Sequence, residues 1–118
     1  MLKMLSIAAV FLFLGSLLFC RAASAEEFEK DVIQTSAGEL TITFIGHGTL
    51  MFTFGGKVIH VDPYSRVADY STLPKADVVL ITHEHQDHLD EEALKHIVTN
   101  QTDIILNSNE KRIFGVRS

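Results

Sequence analysis

Three histidines and one aspartate fall within six residues of this chain, at His83, His85, Asp87 and His88. Imidazole nitrogens and carboxylate oxygens are donors that divalent metal ions take from proteins, and this mixture favours zinc, with manganese or iron as the other candidates. The ionised carboxylate also adds negative charge, which holds the ion and helps to activate a bound water. The group therefore predicts a metal site, and the alternative is a solvated polar loop whose histidines are incidental.

The spacing of these donors divides them between two directions. In an extended chain alternate side chains point to the same side, so His83, His85 and Asp87 can converge while Glu84 turns toward solvent or an outer partner. His88 follows Asp87 directly and points elsewhere unless the backbone turns, and a turn is expected there because residues 89–95 have the pattern of a helix start. Two adjacent ions would use this division, with His83 and His85 on one ion and Asp87 and His88 on the other.

A buried strand and a helix are the elements expected to position this loop. Residues 77–82 include a continuous β-branched and apolar run, which is typical of a strand covered on both faces. The loop follows the carboxyl end of that strand, where open α/β sheets usually bind ligands. Asp90 is a candidate N-cap for a helix with Glu91 and Glu92 in its first turn.

The chain before this strand predicts short antiparallel strands. Residues 40–44 alternate apolar and polar side chains, as in a half-buried strand. Residues 50–54 and 57–61 flank Gly55-Gly56, a pair that allows the positive φ angles of a tight hairpin turn. The charged residues 26–31 predict a frayed start.

Three less regular or shorter segments complete the expected order. Residues 64–75 follow Pro63 without a clear period and predict a loop, because proline cannot donate to a strand ladder. Residues 103–106 predict another short buried strand. Residues 107–112 predict a last short helix.

The stretch His83-x-His85-x-Asp87-His88 resembles the signature of the metallo-β-lactamase-fold hydrolases, with every motif position filled. The likeness extends over about residues 41–106. Residues 45–49 and 54–63 resemble the opening hairpin of the branch that includes ascorbate-6-phosphate lactonase and the N-acyl-phosphatidylethanolamine phospholipases. The resemblance implies an α/β fold, specifically the N-terminal half of an αββα sandwich. It also implies one or two metal ions and hydrolysis of an ester, lactone or phosphodiester-type substrate by a metal-bound hydroxide.

The resemblance also implies roles for individual residues. Asp87 would be both a metal ligand and a catalytic residue. Asp62 would orient the metal loop, residues 83–88, by hydrogen bonds, although an Asp-Pro turn alone also favours an aspartate at this position. His47 would lie near the pocket mouth as a substrate contact or an outer partner, or else be an exposed bystander. His60 is expected to face solvent from its strand, and His96 to lie on the helix surface.

Family members supply a further His, Asp and His from later strands and loops, and these 118 residues do not contain that set. Four ligands divided between two ions leave each ion with two, whereas zinc sites normally use three or four protein ligands. The alternatives to a metal-dependent hydrolase are therefore a truncated, non-catalytic fragment and an exported metal-binding module.

Residues 1–25 have the pattern of a secretory signal peptide. Lys3 gives a positive start, residues 4–19 are almost entirely apolar, and Ala23-Ser24-Ala25 is a small-x-small cleavage site. An uncleaved membrane anchor is the alternative, but polar and small residues interrupt the run. We expect cleavage after Ala25, leaving residues 26–118 as the N-terminal part of the domain, periplasmic or secreted and without a stable membrane anchor.

Cleavage would change both the thiol content and the charge. It would remove Cys20, the single cysteine, so neither a thiol ligand nor a disulfide would remain. It would also remove Lys3 and Arg21, leaving 8 basic residues against 15 acidic ones. An acidic exported chain is poorly suited to bind nucleic-acid phosphates, so a small molecule is the expected substrate.

Overall fold

The computed structural model describes residues 26–106. The predicted signal peptide at residues 1–25 and the predicted last helix at residues 107–112 lie outside these residues. The described part of the chain forms one sheet of six strands in chain order, namely β1 (Glu29–Thr35), β2 (Gly38–Gly46), β3 (Thr49–Phe54), β4 (Lys57–Val61), β5 (Val78–Ile81) and β6 (Asp103–Leu106). An α-helix, α1 (Glu91–Ile97), connects β5 and β6. Within residues 26–106 no helix is long and apolar enough to cross a membrane.

The first four strands pair antiparallel. Gly55 and Gly56 turn the β3–β4 hairpin with φ angles of 57° and 77°, which confirms the predicted tight turn. The predicted frayed start is wrong from Glu29 onward, because these residues form β1. Every residue of β1 is exposed, so this edge strand lacks the apolar alternation that marks a half-buried strand.

The last three strands pair parallel, β4 with β5 and β5 with β6. The connection from β4 to β5 is the predicted loop, interrupted by a short 3-10 helix at Tyr70–Thr72. The connection from β5 to β6 contains the metal loop and α1. Asp90 is the N-cap of α1, as predicted, and its side chain accepts a hydrogen bond from the backbone N–H of Glu92.

The core lies between α1 and one face of the sheet. Ile97 and Ala93 of α1 and Val79 of β5 have no exposed surface, and Tyr70 is 1% exposed. Replacement of a fully buried isoleucine by alanine typically costs about 2 to 5 kcal/mol, so Ile97 is a main anchor of the helix. This packing holds the carboxyl end of β5 and the start of α1 at fixed positions on either side of the metal loop.

The opposite face of the sheet is apolar and open. Strand register places twelve apolar residues on it, at Ile33, Leu40, Ile42, Phe44, Leu50, Phe52, Phe54, Ile59, Val61, Val78, Leu80 and Ile105. Phe44 is 40% exposed and Ile105 55%. Among the described residues β5 is therefore fully covered on one face only, where both were predicted. A helix on one face and an open apolar second face are expected of half an αββα sandwich.

Candidate metal centre

Asp62 ties the ends of β4 and β5 together. Its side chain is 5% exposed, and its two carboxylate oxygens accept hydrogen bonds from the backbone N–H and the hydroxyl of Thr82, both at 2.7 Å. Its backbone N–H donates to the carbonyl of Leu80 at 2.9 Å, and its carbonyl accepts from the Thr49 hydroxyl at 2.7 Å. Asp62 has a φ of 47°, an unfavourable angle for a non-glycine residue that these four contacts hold in place.

The same carboxylate sets the orientation of two histidine rings. Oδ2 of Asp62 lies 2.8 Å from Nδ1 of His88, so the ring donates its Nδ1 proton and keeps the lone pair on Nε2. The Thr82 hydroxyl donates its own proton to Asp62 and lies 2.9 Å from Nδ1 of His83. Its oxygen therefore accepts a hydrogen bond from the Nδ1–H of His83. Both rings therefore present Nε2 as a metal donor, and Asp62 bonds one ring directly and the other through Thr82, which is the kind of contact that the resemblance implied for it.

His83, His85 and Asp87 form one group of donors. One nitrogen or oxygen from each lies within 4.8 Å of the others, as the spacing predicted. The loop turns as expected, because the backbone N–H groups of His88 and Leu89 both donate to the carbonyl of His85 at 2.8 Å. This turn brings the His88 ring to 3.7 Å from the His83 ring, between centroids.

His47 joins Asp87 and His88 in a second group within the same 4.8 Å limit. Nε2 of His47 lies 2.9 Å from Oδ2 of Asp87, and Nε2 of His88 lies 3.4 Å from that oxygen. The hydrogen bond from His47 is the largest influence on Asp87 and holds the pKa of its carboxyl below the ordinary value, although burial acts in the opposite direction. Asp87 thus belongs to both groups and lies between them.

The donor separations fit a metal ion. Zinc with bonds of about 2.0 to 2.1 Å in tetrahedral geometry places its ligand atoms about 3.3 Å apart. The separations of 2.9 and 3.4 Å around Asp87 are close to that value. Neutral imidazoles and an ionised carboxylate are also the donor types that zinc, manganese and iron accept.

His60 differs from its prediction. It is fully buried, because it lies on the core face of β4 with its ring 5.9 Å from that of Tyr70, so the solvent-facing assignment is wrong. Nε2 lies 3.0 Å from the carbonyl of Pro74, and Nδ1 has no hydrogen-bond partner among the described residues. Burial lowers the pKa of His60, while the hydrogen bond to Pro74 opposes that change.

The remaining polar residues lie outside the two groups. Glu84 is exposed, and His96 is half-exposed on α1, 3.6 Å from a carboxylate oxygen of Glu92. Sequence reasoning missed Ser65, whose N–H and hydroxyl donate to Asp90 at 2.8 and 2.6 Å. It also missed Thr82 as a polar link, although a threonine directly before the histidine motif was the available signal.

Known proteins resemble this chain in sequence and in structure. Residues 41–116 match a family described as the beta-lactamase superfamily domain. A UPF0173 metal-dependent hydrolase of Flavobacterium johnsoniae is 45% identical over 56 residues, which cover 42% of this chain and 24% of the relative. A UPF0173 metal-dependent hydrolase of Cupriavidus necator is 38% identical over 65 residues, 48% of this chain and 22% of the relative.

One solved structure is similar over most of the chain. It is a crystal structure of a proposed metal-dependent hydrolase from Parabacteroides distasonis, with a TM-score of 0.73 and 50% sequence identity. The match covers 76% of this chain and 41% of that one. The chain therefore spans less than half the length of each of these three proteins.

Proposed function

Because the chain belongs to the beta-lactamase superfamily, we propose that it contributes to a metal-dependent hydrolase that acts on an ester, lactone or phosphodiester-type small molecule. Two of its relatives are described as metal-dependent hydrolases. The observation that carries the proposal is the Asp62 network, which bonds Nδ1 of His88 directly and Nδ1 of His83 through Thr82, and so leaves Nε2 of each ring as the metal donor. Preorganised donors of this kind bind a metal without first paying for their own ordering.

The residues divide the work of the site. His83 and His85 hold one ion, with zinc as the proposed metal, and Asp87 and His88 hold a second or share the first. Zinc bound in such a site would polarise a substrate oxygen and lower the pKa of a bound water, so that a hydroxide nucleophile is available near neutral pH. Asp62 contacts neither substrate nor metal and acts by fixing the two rings. The signal-peptide pattern of residues 1–25 supports the proposal that this chemistry takes place in the periplasm or outside the cell.

Replacement of Asp87 by Ala tests the proposal. The variant is expected to lose bound zinc after dialysis and to lose turnover on a panel of ester, lactone and phosphodiester substrates, measured beside the unmodified chain. Asp31→Ala, at an exposed position of β1 far from the loop in the sheet order, is the matched control and should change neither. Full turnover by Asp87→Ala with zinc still bound would remove the assignment.

Metal binding without hydrolysis of any substrate would favour the exported metal-binding module instead. Zinc content and turnover must therefore be measured on the same preparation, so that loss of one is not mistaken for loss of the other.

A further inference from the structure

We propose that His47 is a third protein ligand of the ion held by Asp87 and His88, an inference that rests on the proposed function. The histidine motif alone leaves this ion with two ligands, and His47 is contributed by the turn between β2 and β3, 40 residues earlier in the chain. With His47 added, residues 26–106 supply this ion with three protein ligands, the number that a catalytic zinc site uses.

The donor geometry is the first support. His47, Asp87 and His88 each offer one ligand atom within 4.8 Å of the others. Oδ2 of Asp87 lies 2.9 Å from Nε2 of His47 and 3.4 Å from Nε2 of His88. Nδ1 of His88 is already bonded to Asp62, so Nε2 is the nitrogen left for the ion. Among the described contacts, Nδ1 of His47 makes no hydrogen bond to a carboxylate. Its Nε2 can therefore carry the lone pair while Nδ1 holds the proton.

The backbone around His47 is the second support. Gly46 has a φ of 130° and His47 a φ of 54°, a left-handed angle that is unfavourable for histidine. Gly48 approaches the metal loop so closely that a Cβ atom there would lie 3.3 Å from Cε1 of His88. The turn therefore packs closely on the His88 ring. His47, the residue with the unfavourable backbone angle, is also the residue whose side chain contacts Asp87.

The competing explanation is a hydrogen bond alone, in which the Nε2 proton of His47 goes to Asp87 and no metal bond forms. The two explanations predict different numbers of imidazole ligands on the metal ion. A ligand changes the number of imidazoles bound to the ion, whereas a hydrogen-bond donor to Asp87 leaves that number unchanged.

The test is a comparison of His47→Gln with His96→Gln, which replaces a half-exposed histidine of α1 outside both donor groups. Zinc titration of the whole chain should show that His47→Gln weakens one class of site by about tenfold or more while His96→Gln does not. X-ray absorption at the zinc edge should show one imidazole fewer at that site. Because His47 is about half exposed, the substitution should leave the far-ultraviolet circular dichroism unchanged.

His47→Gly supplies a second, independent measurement. Free imidazole should fill the space and restore zinc affinity, and it should not improve binding by His96→Gly. Unchanged zinc affinity and imidazole count in His47→Gln, or no rescue of His47→Gly, would overturn the proposal.

The same experiment separates this inference from the proposed function. Turnover by the unmodified chain with an unaltered His47→Gln site defeats the His47 ligand alone. Zinc bound through His47 without turnover defeats the hydrolase alone, and absence of zinc binding defeats both.

Discussion

Oδ2 of Asp62 lies 2.8 Å from Nδ1 of His88, and this hydrogen bond joins the end of β4 to the loop after β5. Two parallel strands thus supply the carboxylate and the ring that it orients. The Thr82 hydroxyl donates to the same carboxylate oxygen and accepts from His83, so one buried charge determines the proton positions of two proposed metal ligands. The metal loop is short, but its orientation depends on a residue about 20 positions earlier in the sequence.

Asp62→Asn is predicted to weaken zinc binding by about 10- to 100-fold with little change in shape. The amide keeps one acceptor oxygen for the backbone N–H of Thr82 and presents its NH₂ group to His88. Because that group donates, Nδ1 of His88 must become the acceptor, and the proton moves to Nε2. The nitrogen that faces Asp87 is then blocked.

Zinc affinity from competition with a coloured chelator measures this effect, and the circular dichroism spectrum checks the fold. Asp31→Asn makes the same chemical change at an exposed position of β1 and should bind zinc like the unmodified chain. Equal zinc affinity of Asp62→Asn and the unmodified chain would contradict the role given to Asp62.

Most strands and the helix were predictable because their signals are local. Gly55-Gly56 between two apolar segments specifies a hairpin, and Asp90 before two glutamates specifies a helix start. β1 was not predictable in this way, since it is an edge strand with both faces exposed and its place depends on pairing with β2. Burial of His60 likewise depends on which residues pack over β4, and the spacing of residues in the sequence does not predict that packing.

The candidate site was predictable only where its donors are neighbours in sequence. His83, His85, Asp87 and His88 can be found by their spacing, and the resemblance added Asp62 and His47. The contact of His47 with Asp87 spans 40 residues and forms through a left-handed turn. That contact, and the two-group arrangement that it creates, required the sheet to be assembled first.

Asp90→Ala is predicted to lower the free energy of unfolding by about 1 to 2 kcal/mol at pH 7, as loss of an N-cap does. Burial alone would raise the pKa of the Asp90 carboxyl, but hydrogen bonds from Ser65, Glu92 and Ala93 outweigh it and leave the pKa below its ordinary value of 3.8. A lowered folded-state pKa stabilises the fold above the unfolded-state value, and this stabilisation is lost as the pH falls through the folded-state value. The difference between the two proteins should therefore shrink below about pH 4.

Urea unfolding of the metal-free chain between pH 7 and pH 3 measures this difference. Asp90→Asn, which keeps an acceptor oxygen but cannot ionise, should lose less stability than Asp90→Ala at pH 7 and show a weaker pH dependence than the unmodified chain. A gap between the unmodified chain and Asp90→Ala that stays constant to pH 3 would count against the carboxylate as its source.

His60→Leu is predicted to remove part of the loss of stability that the metal-free chain shows on mild acidification. Burial lowers the pKa of His60 from its ordinary value of 6.5, so the unfolded chain takes up a proton at a higher pH than the folded chain. Stability from this residue is therefore complete above about pH 6.5 and falls as the pH drops toward the folded-state pKa. Leucine cannot titrate, so the midpoint of urea unfolding should fall less between pH 7.5 and pH 5 in the variant, with a chelator present throughout.

His96→Gln, which alters a half-exposed ring, should follow the unmodified chain. If His60→Leu and the unmodified chain lose the same stability over that range, burial of His60 is not a source of the acid sensitivity.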